Sequence, residues 1–278
     1  MTFGVFLAVM AAALIHASWN ALIKTGASKQ SAMLILGIAQ ALCGIGIAIW
    51  KGLPVEAAWP WLVASGLIHM CYQLNLGYAY EHGDLSRVYP IARGTAPMIV
   101  LVVSAVFLPD TLSLPEVAGV VVLGLGILLM VRGVFTSGES RKMLPFALGA
   151  AAATAGYSIT DGMGARAAGD AVLYVGWLMI IAAVFYVPAA VTLKGTVLFR
   201  APARAWGLGL LAGAMSFGGY AIAVWAMTVA PIALVAALRE TSILFAVLIG
   251  WLVFGETMTR SKALAAVIIA AGVMLTRA

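Results

Sequence analysis

Residues 88–97 read Val88-Tyr89-Pro90-Ile91-Ala92-Arg93-Gly94-Thr95-Ala96-Pro97 and lie within an apolar segment that continues to Leu108. A cation inside such a segment is costly to place in hydrocarbon, and it therefore marks a position with a job. The pattern recurs further along the chain. A shift of 146 positions carries Arg93 onto Arg239, Thr95 onto Thr241, Asp110 onto Glu256, Thr111 onto Thr257 and Gly126 onto Gly272, with no gap. The chain reads as a duplication in which each copy keeps an arginine at the same depth.

Outward from that stretch, apolar runs of about twenty residues follow one another, the length an α-helix needs to cross a bilayer. With 64% hydrophobic and 9% charged residues and a mean hydropathy of +1.08, the chain has too little polar surface to cover a soluble domain. The runs are continuous and rich in alanine, leucine and glycine, without the ten-residue alternation of barrel strands. Ten helices are expected, over 3–23, 30–50, 59–82, 85–108, 114–132, 144–166, 171–193, 206–229, 232–254 and 260–277. Ser113-Leu114-Pro115-Glu116 is a capping box that starts the fifth, and Thr259 is a cap for the tenth. Gly209 and Gly213 form a lone GxxxG pair that reads as close helix packing.

The longest polar break, Phe135 to Met143, coincides with the boundary of the duplication. This divides the chain into a first five-helix repeat over 1–134, a cytoplasmic linker over 135–143 and a second repeat over 144–278. Five is odd, so the copies enter the membrane with opposite orientation. The expected fold is thus an all-α integral membrane protein of ten transmembrane helices in two inverted five-helix repeats. A weaker pairing of Ala17-Ser18-Trp19 with Ala155-Gly156-Tyr157 fits the same scheme.

Of the 16 Lys and Arg, the breaks after odd-numbered helices hold eleven, the opposite side has three, and two are buried. The positive-inside rule then places the odd breaks in the cytoplasm and both termini outside, as expected of a protein of the bacterial inner membrane. The formal net charge of +6 does not point to nucleic acid, because the basic residues sit singly in loops. Cys43 and Cys71 lie within apolar runs and read as small core residues. No cofactor or metal site is implied.

At this point the residues resemble the drug/metabolite transporter superfamily, and within it the ten-helix EamA-type transporters. The resemblance spans nearly the whole chain and rests on the two five-helix halves, on H-G-D-L-S-R-V-Y-P-I-A-R-G-T-A-P at 82–97, and on the half-endings F-L-P-D-T-L-S and V-F-G-E-T-M-T. It implies a secondary transporter, an exporter, whose relatives move amino acids, sugars, phosphorylated metabolites and drugs. In the small multidrug-resistance branch a glutamate in helix one binds cationic drugs. Helix one here has His16 and Asn20 and no acid, so that mechanism is not carried over. In the plastid sugar-phosphate branch, basic residues on helices four and nine hold the substrate anion, and Arg93 and Arg239 fall on those helices.

The candidate substrate-binding residues follow. Arg93 and Arg239 lie near the midplane, where a guanidinium fork can hold carboxylate or phosphoryl oxygens; as structural residues they would instead satisfy helix-end carbonyls or neighbours. Glu240 has Gly94 as its repeat partner, so the halves differ where a substrate would be read. It either binds a substrate ammonium, titrates as a coupling-proton carrier, or neutralises one of the arginines. His16, Trp19 and Asn20 share a face of helix one, Tyr157 with Ser158 and Asp161 forms a similar patch on helix six, and Tyr89 belongs to the opening stretch. Pro90 and Pro97 free the carbonyls of Ser86 and Arg93. The partners implied are a small-molecule substrate, the lipid bilayer and a coupling proton or ion, with oligomeric state open. Two other classes compete. An intramembrane lipid-processing enzyme would need clustered catalytic groups, whereas His16, His69 and His82 are scattered. A non-transporting subunit of a membrane complex would share the composition.

Overall fold

The computed structural model describes residues 1–23, 28–82, 91–129, 142–255 and 257–277. Among these residues the chain forms ten helices: α1 Phe3–Ile23, α2 Lys29–Lys51, α3 Trp59–His82, α4 Ile91–Phe107, α5 Leu114–Leu129, α6 Met143–Ala168, α7 Ala171–Lys194, α8 Ala203–Val229, α9 Ile232–Phe254 and α10 Arg260–Leu275. Six of them, α1, α2, α6, α7, α8 and α9, are long and apolar enough to cross a membrane, while α4 and α5 are shorter apolar helices. Most of the expected linker, the first residues of the expected fourth helix and the end of the fifth lie outside the described residues.

The helices begin and end where the side-chain chemistry dictates. At α5 the capping box is present: Ser113 N–H donates to Glu116 Oε2 at 2.9 Å, and Glu116 N–H donates to Ser113 Oγ at 3.4 Å. Thr259 Oγ1 accepts from Lys262 N–H at 3.3 Å to start α10. Asp170 caps α7 by accepting from the amides of Val172 and Leu173, both at 3.0 Å, and it also pairs with Lys51. Burial pushes this carboxyl up, but the Lys51 ammonium and the two amides outweigh it and hold it below the usual carboxylate range.

Two expected helices are broken. α4 is interrupted at Thr95, after a turn at 91–94, and resumes over Ala96–Phe107; α9 divides into Ile232–Arg239 and Ser242–Phe254. The breaks fall at the same register of the repeat, since Thr95 corresponds to Thr241. In α4 the cause is Pro97, which removes a donor and stands at the start of the second segment. In α9 no proline is present. There Glu240 N–H and Thr241 N–H close short turns onto the carbonyls of Ala237 and Leu238, and Thr241 Oγ1 also donates to the Leu238 carbonyl at 2.7 Å.

The packing reflects the duplication. α3 packs on α6 and α7, as α8 packs on α1 and α2; α1 packs on α9 as α6 does on α4; and α2/α7, α4/α9 and α5/α10 pair across the halves. Exchanging α1–α5 with α6–α10 converts each of these contacts into another or into itself. Glycine makes the closest ones possible. A Cβ on Gly272 would stand 2.6 Å from the amide nitrogen of Leu123, and one on Gly44 would run into the carbonyl of Gly176. The outer surface is apolar, with Val102, Val106, Phe107, Leu252 and Val253 well exposed, as a lipid-facing bundle requires.

One end of the bundle is tied together by Arg166. Its guanidinium donates to both oxygens of Asp110, at 2.8 and 3.0 Å, and to the carbonyls of Met227 and Ala230, while Asp110 also accepts from Ile232 N–H at 2.9 Å. The end of α6, the α4–α5 turn and the α8–α9 turn are thereby joined through one bidentate pair. Glu81 and Lys194, at 2.7 Å, link α3 to α7.

Candidate functional site

The breaks of α4 and α9 bring the charged residues together. Arg93 precedes one break, Arg239 and Glu240 form the other, and the two first segments belong to helices that pack on each other. Arg93 Nε stands 2.8 Å from Glu240 Oε2, with the two side chains 3% and 4% exposed. Of the readings open for Glu240, the geometry realises the buried ion pair, and the arginine it neutralises lies in the other half of the chain.

The repeat position opposite Glu240 has no room for a second acid. At Gly94 a Cβ would stand 2.8 Å from Cγ2 of Ile127, a fully buried side chain that fills the space. Among the described residues, the two breaks therefore carry two arginines, Arg93 and Arg239, and one acid, Glu240.

Arg239 is treated differently from Arg93. Its guanidinium carbon lies 4.9 Å from the ring centroid of Tyr220, a cation–π contact, and no carboxylate among the described residues comes within 4 Å of it. His16 lies on α1. Its ring meets that of Trp19 edge-on at 4.9 Å. Trp19 itself is 7% exposed and packs with Leu36 of α2 and Ala212 of α8, and the Asn20 side-chain amide donates to the His16 carbonyl at 2.8 Å within its own helix. The shared face expected on helix one is thus seen in the His16–Trp19 contact, while Trp19 packs against neighbouring helices and Asn20 bonds its own. Tyr89 and Pro90 lie outside the described residues.

Tyr157 belongs to a second polar cluster. Its ring stacks on His69 with centroids 4.3 Å apart, and it meets Tyr72 and Tyr220 edge-on. Beside it Asp161, fully buried, accepts from Tyr174 Oη at 3.1 Å and from Tyr220 Oη, and His69 Nε2 lies 3.2 Å from the same carboxylate. The Tyr174 hydroxyl reaches it because Gly164 is bare: a Cβ there would collide with the phenol. Tyr220 is thus shared, its hydroxyl on Asp161 and its ring under Arg239. The sequence groups Asp161 with Tyr157 and Ser158 on helix six; the structure adds His69, Tyr174 and Tyr220 to that patch. An acid within an apolar helix was the available signal. Ser158 is occupied by its own helix, donating to the Thr154 carbonyl at 2.7 Å. A shallow recess between α2, α3 and α7, lined by Gln73, Tyr78, Tyr186 and Lys194, contains neither arginine.

A model of the EamA-like transporter family matches residues 2–132 and again residues 141–278. The chain belongs to the EamA-like transporter family. It is accordingly a membrane transporter of the drug/metabolite type, set in lipid and acting on small molecules. No curated protein matches it. Among solved structures 29 chains match, and one described only as the crystal structure of a protein superposes with a TM-score of 0.78 over 99% of this chain and 98% of its own, at 18% identity. At that identity the likeness concerns the fold alone.

Proposed function

We propose that the protein is a secondary transporter that exports a small metabolite bearing an anionic group, such as an amino acid, an organic acid or a phosphorylated or phosphonate compound, by alternating access. The observation that carries this reading is the unequal treatment of the two arginines. Glu240 neutralises Arg93, whereas Arg239 rests on an aromatic face with no carboxylate within 4 Å among the described residues. A guanidinium so placed is set to receive an anion bidentately. In this reading Arg239 is the anchor, the Arg93–Glu240 pair and His16 line its surroundings, and Trp19, Asn20, Tyr89 and Tyr157 complete the neighbourhood. The two repeats, 1–134 and 144–278 with the linker 135–143 between them, are inverted about an axis in the membrane plane, which supports rocking of one half against the other around a fixed site.

The test is a thermal-stabilisation screen of the purified protein over amino acids, organic acids and phosphonates, since a compound that binds only the folded state raises its melting temperature. For the best compound, Arg239→Lys weakens binding moderately because the charge survives without the fork. Arg239→Ala weakens it about ten- to hundred-fold, the loss of a charge-assisted contact worth roughly 1.5 to 3 kcal/mol, with the melting temperature of the free protein unchanged. Equal affinity in wild type and Arg239→Ala removes Arg239 from the substrate site.

The proposed orientation puts both termini outside and the linker in the cytoplasm of a bacterial inner-membrane protein. A reporter active only in the cytoplasm is expected to be silent when fused after Ala278 and active when inserted near Ser140. The reverse pattern overturns the orientation.

A further inference from the structure

We propose that Tyr220 is a positioning residue that holds the Arg239 guanidinium ready for an anion, and that Asp161 acts through it by fixing the tyrosine. This rests on the anchor role proposed for Arg239 above. Arg239 is 9% exposed and closes the first segment of α9, and no carboxylate among the described residues lies within 4 Å of it. The contact that holds it is the ring of Tyr220, whose centroid is 4.9 Å from the guanidinium carbon. A ring attracts a guanidinium by its π-face and takes up none of its N–H donors, whereas a carboxylate partner would occupy the donors that an anion needs. Tyr220 steadies the cation and leaves those donors available.

The tyrosine is itself held from its far end. Its hydroxyl donates to Oδ2 of Asp161, which also has Nε2 of His69 at 3.2 Å, while Oδ1 accepts from Tyr174 Oη at 3.1 Å. Asp161 is fully buried, and its three partners stand on α3, α7 and α8, so the carboxylate cannot shift without disturbing three helices. His69 is fixed in turn by two rings, stacked on Tyr157 at 4.3 Å and edge-on to Tyr220 at 5.7 Å. A tyrosine has two side-chain dihedrals, and a hydrogen bond at its hydroxyl together with rings against its sides fixes both.

The two arginines are thus held by different means. Arg93 has a carboxylate from the other half of the chain, whereas Arg239 has an aromatic ring from its own half, braced by an acid of that half. A tyrosine that only filled the core would tolerate phenylalanine, since the ring is the same. Here the hydroxyl sets where the ring stands under the cation. A long side chain that must be ordered when the ligand arrives weakens binding, and one already held in place does not.

The experiment records the guanidinium signals of the full-length protein, labelled with nitrogen-15 arginine, in lipid bilayers by solid-state NMR, first without added anion and then with acetate or inorganic phosphate. Arg239 is identified by the signal lost in Arg239→Lys, and Arg166, at the end of the bundle, is the internal control. The expected result is an Arg239 N–H signal shifted upfield by the Tyr220 ring. Tyr220→Phe broadens it and moves it toward its position in Tyr220→Leu; Asp161→Leu does the same, and Asp161→Asn, which keeps a carbonyl acceptor for the hydroxyl, moves it less. The Arg166 signal stays in place throughout. Acetate or phosphate perturbs the wild-type Arg239 signal, and Tyr220→Phe binds the same anion about two- to tenfold more weakly, the cost of ordering one long side chain on binding. Tyr220→Phe removes a single oxygen atom, so it decides the matter even if Asp161→Leu fails to fold. An Arg239 signal unchanged in Tyr220→Phe, equal affinities, or an Arg166 signal that moves as far as that of Arg239 overturns the positioning role. A wild-type Arg239 signal that responds to neither anion overturns the anchor reading instead, and the inference with it.

Discussion

Glu240→Ala is expected to destabilise the protein by about 3 to 5 kcal/mol, the usual penalty for breaking a buried ion pair by removing one of its members. The group that loses its carboxylate is Arg93, 2% exposed and placed just before the break of α4. Arg93→Ala should also destabilise, by removing the guanidinium 2.8 Å from Glu240. The double variant Arg93→Met, Glu240→Leu should recover most of the loss, because similarly sized apolar side chains replace a pair whose desolvation nearly cancels its attraction. Chemical denaturation of the four proteins in one detergent measures the coupling directly. If Glu240→Ala melts with the wild type, the pair does not support the crossing of α4 and α9. This outcome separates the two arginines: Arg93 variants lose stability, whereas Arg239 variants lose binding.

The second large effect concerns two glycines of α2 that are two residues apart. A Cβ on Gly44 would collide with the carbonyl of Gly176 and stand 3.2 Å from Cγ1 of Ile180, whereas a Cβ on Gly46 would meet nothing within 4 Å. Gly44→Ala should therefore cost about 3 kcal/mol, the upper end of the usual overpacking penalty, because the obstacle is backbone that cannot rotate away. Gly44→Leu should prevent α2 from docking on α7. Gly46→Ala, by contrast, should stabilise by about 0.5 to 1 kcal/mol through its effect on the unfolded chain and on helix propensity. Thermal unfolding of the two alanine variants is the check, and equal behaviour would show that the α2/α7 seam is loose.

How far the sequence could be read depended on whether a feature was local. The arginine at position 93 stood out because a cation within an apolar run is rare, and its recurrence at 239 exposed the duplication. The Ser113–Glu116 box was legible because its partners are three residues apart. Pro90 and Pro97 showed where the fourth helix loses backbone bonds, though the expected helix ran unbroken over 85–108. The matching break at Glu240–Thr241 has no proline and was passed over, although the 146-residue shift would have carried it across from Thr95. Glu240 had competing readings because its partner, Arg93, lies in the other half of the chain, and only packing brings them within 2.8 Å. Asp161 was noticed on its helix, but its donors come from positions 92, 13 and 59 residues away, on three other helices. Trp19 and Asn20 illustrate the complementary limit. Helical spacing grouped them with His16, yet it did not say that Trp19 would pack against α2 and α8 or that Asn20 would bond its own helix.

Ile127 resting against bare Gly94, opposite Glu240, has a further consequence. Two identical half-length chains meeting about a twofold axis could install acids at this crossing only in pairs or not at all, giving a core that is neutral or doubly cationic. Fusing the halves into a single polypeptide removes that restriction of even numbers. At this crossing one acid can then stand between two guanidiniums, as Glu240 does.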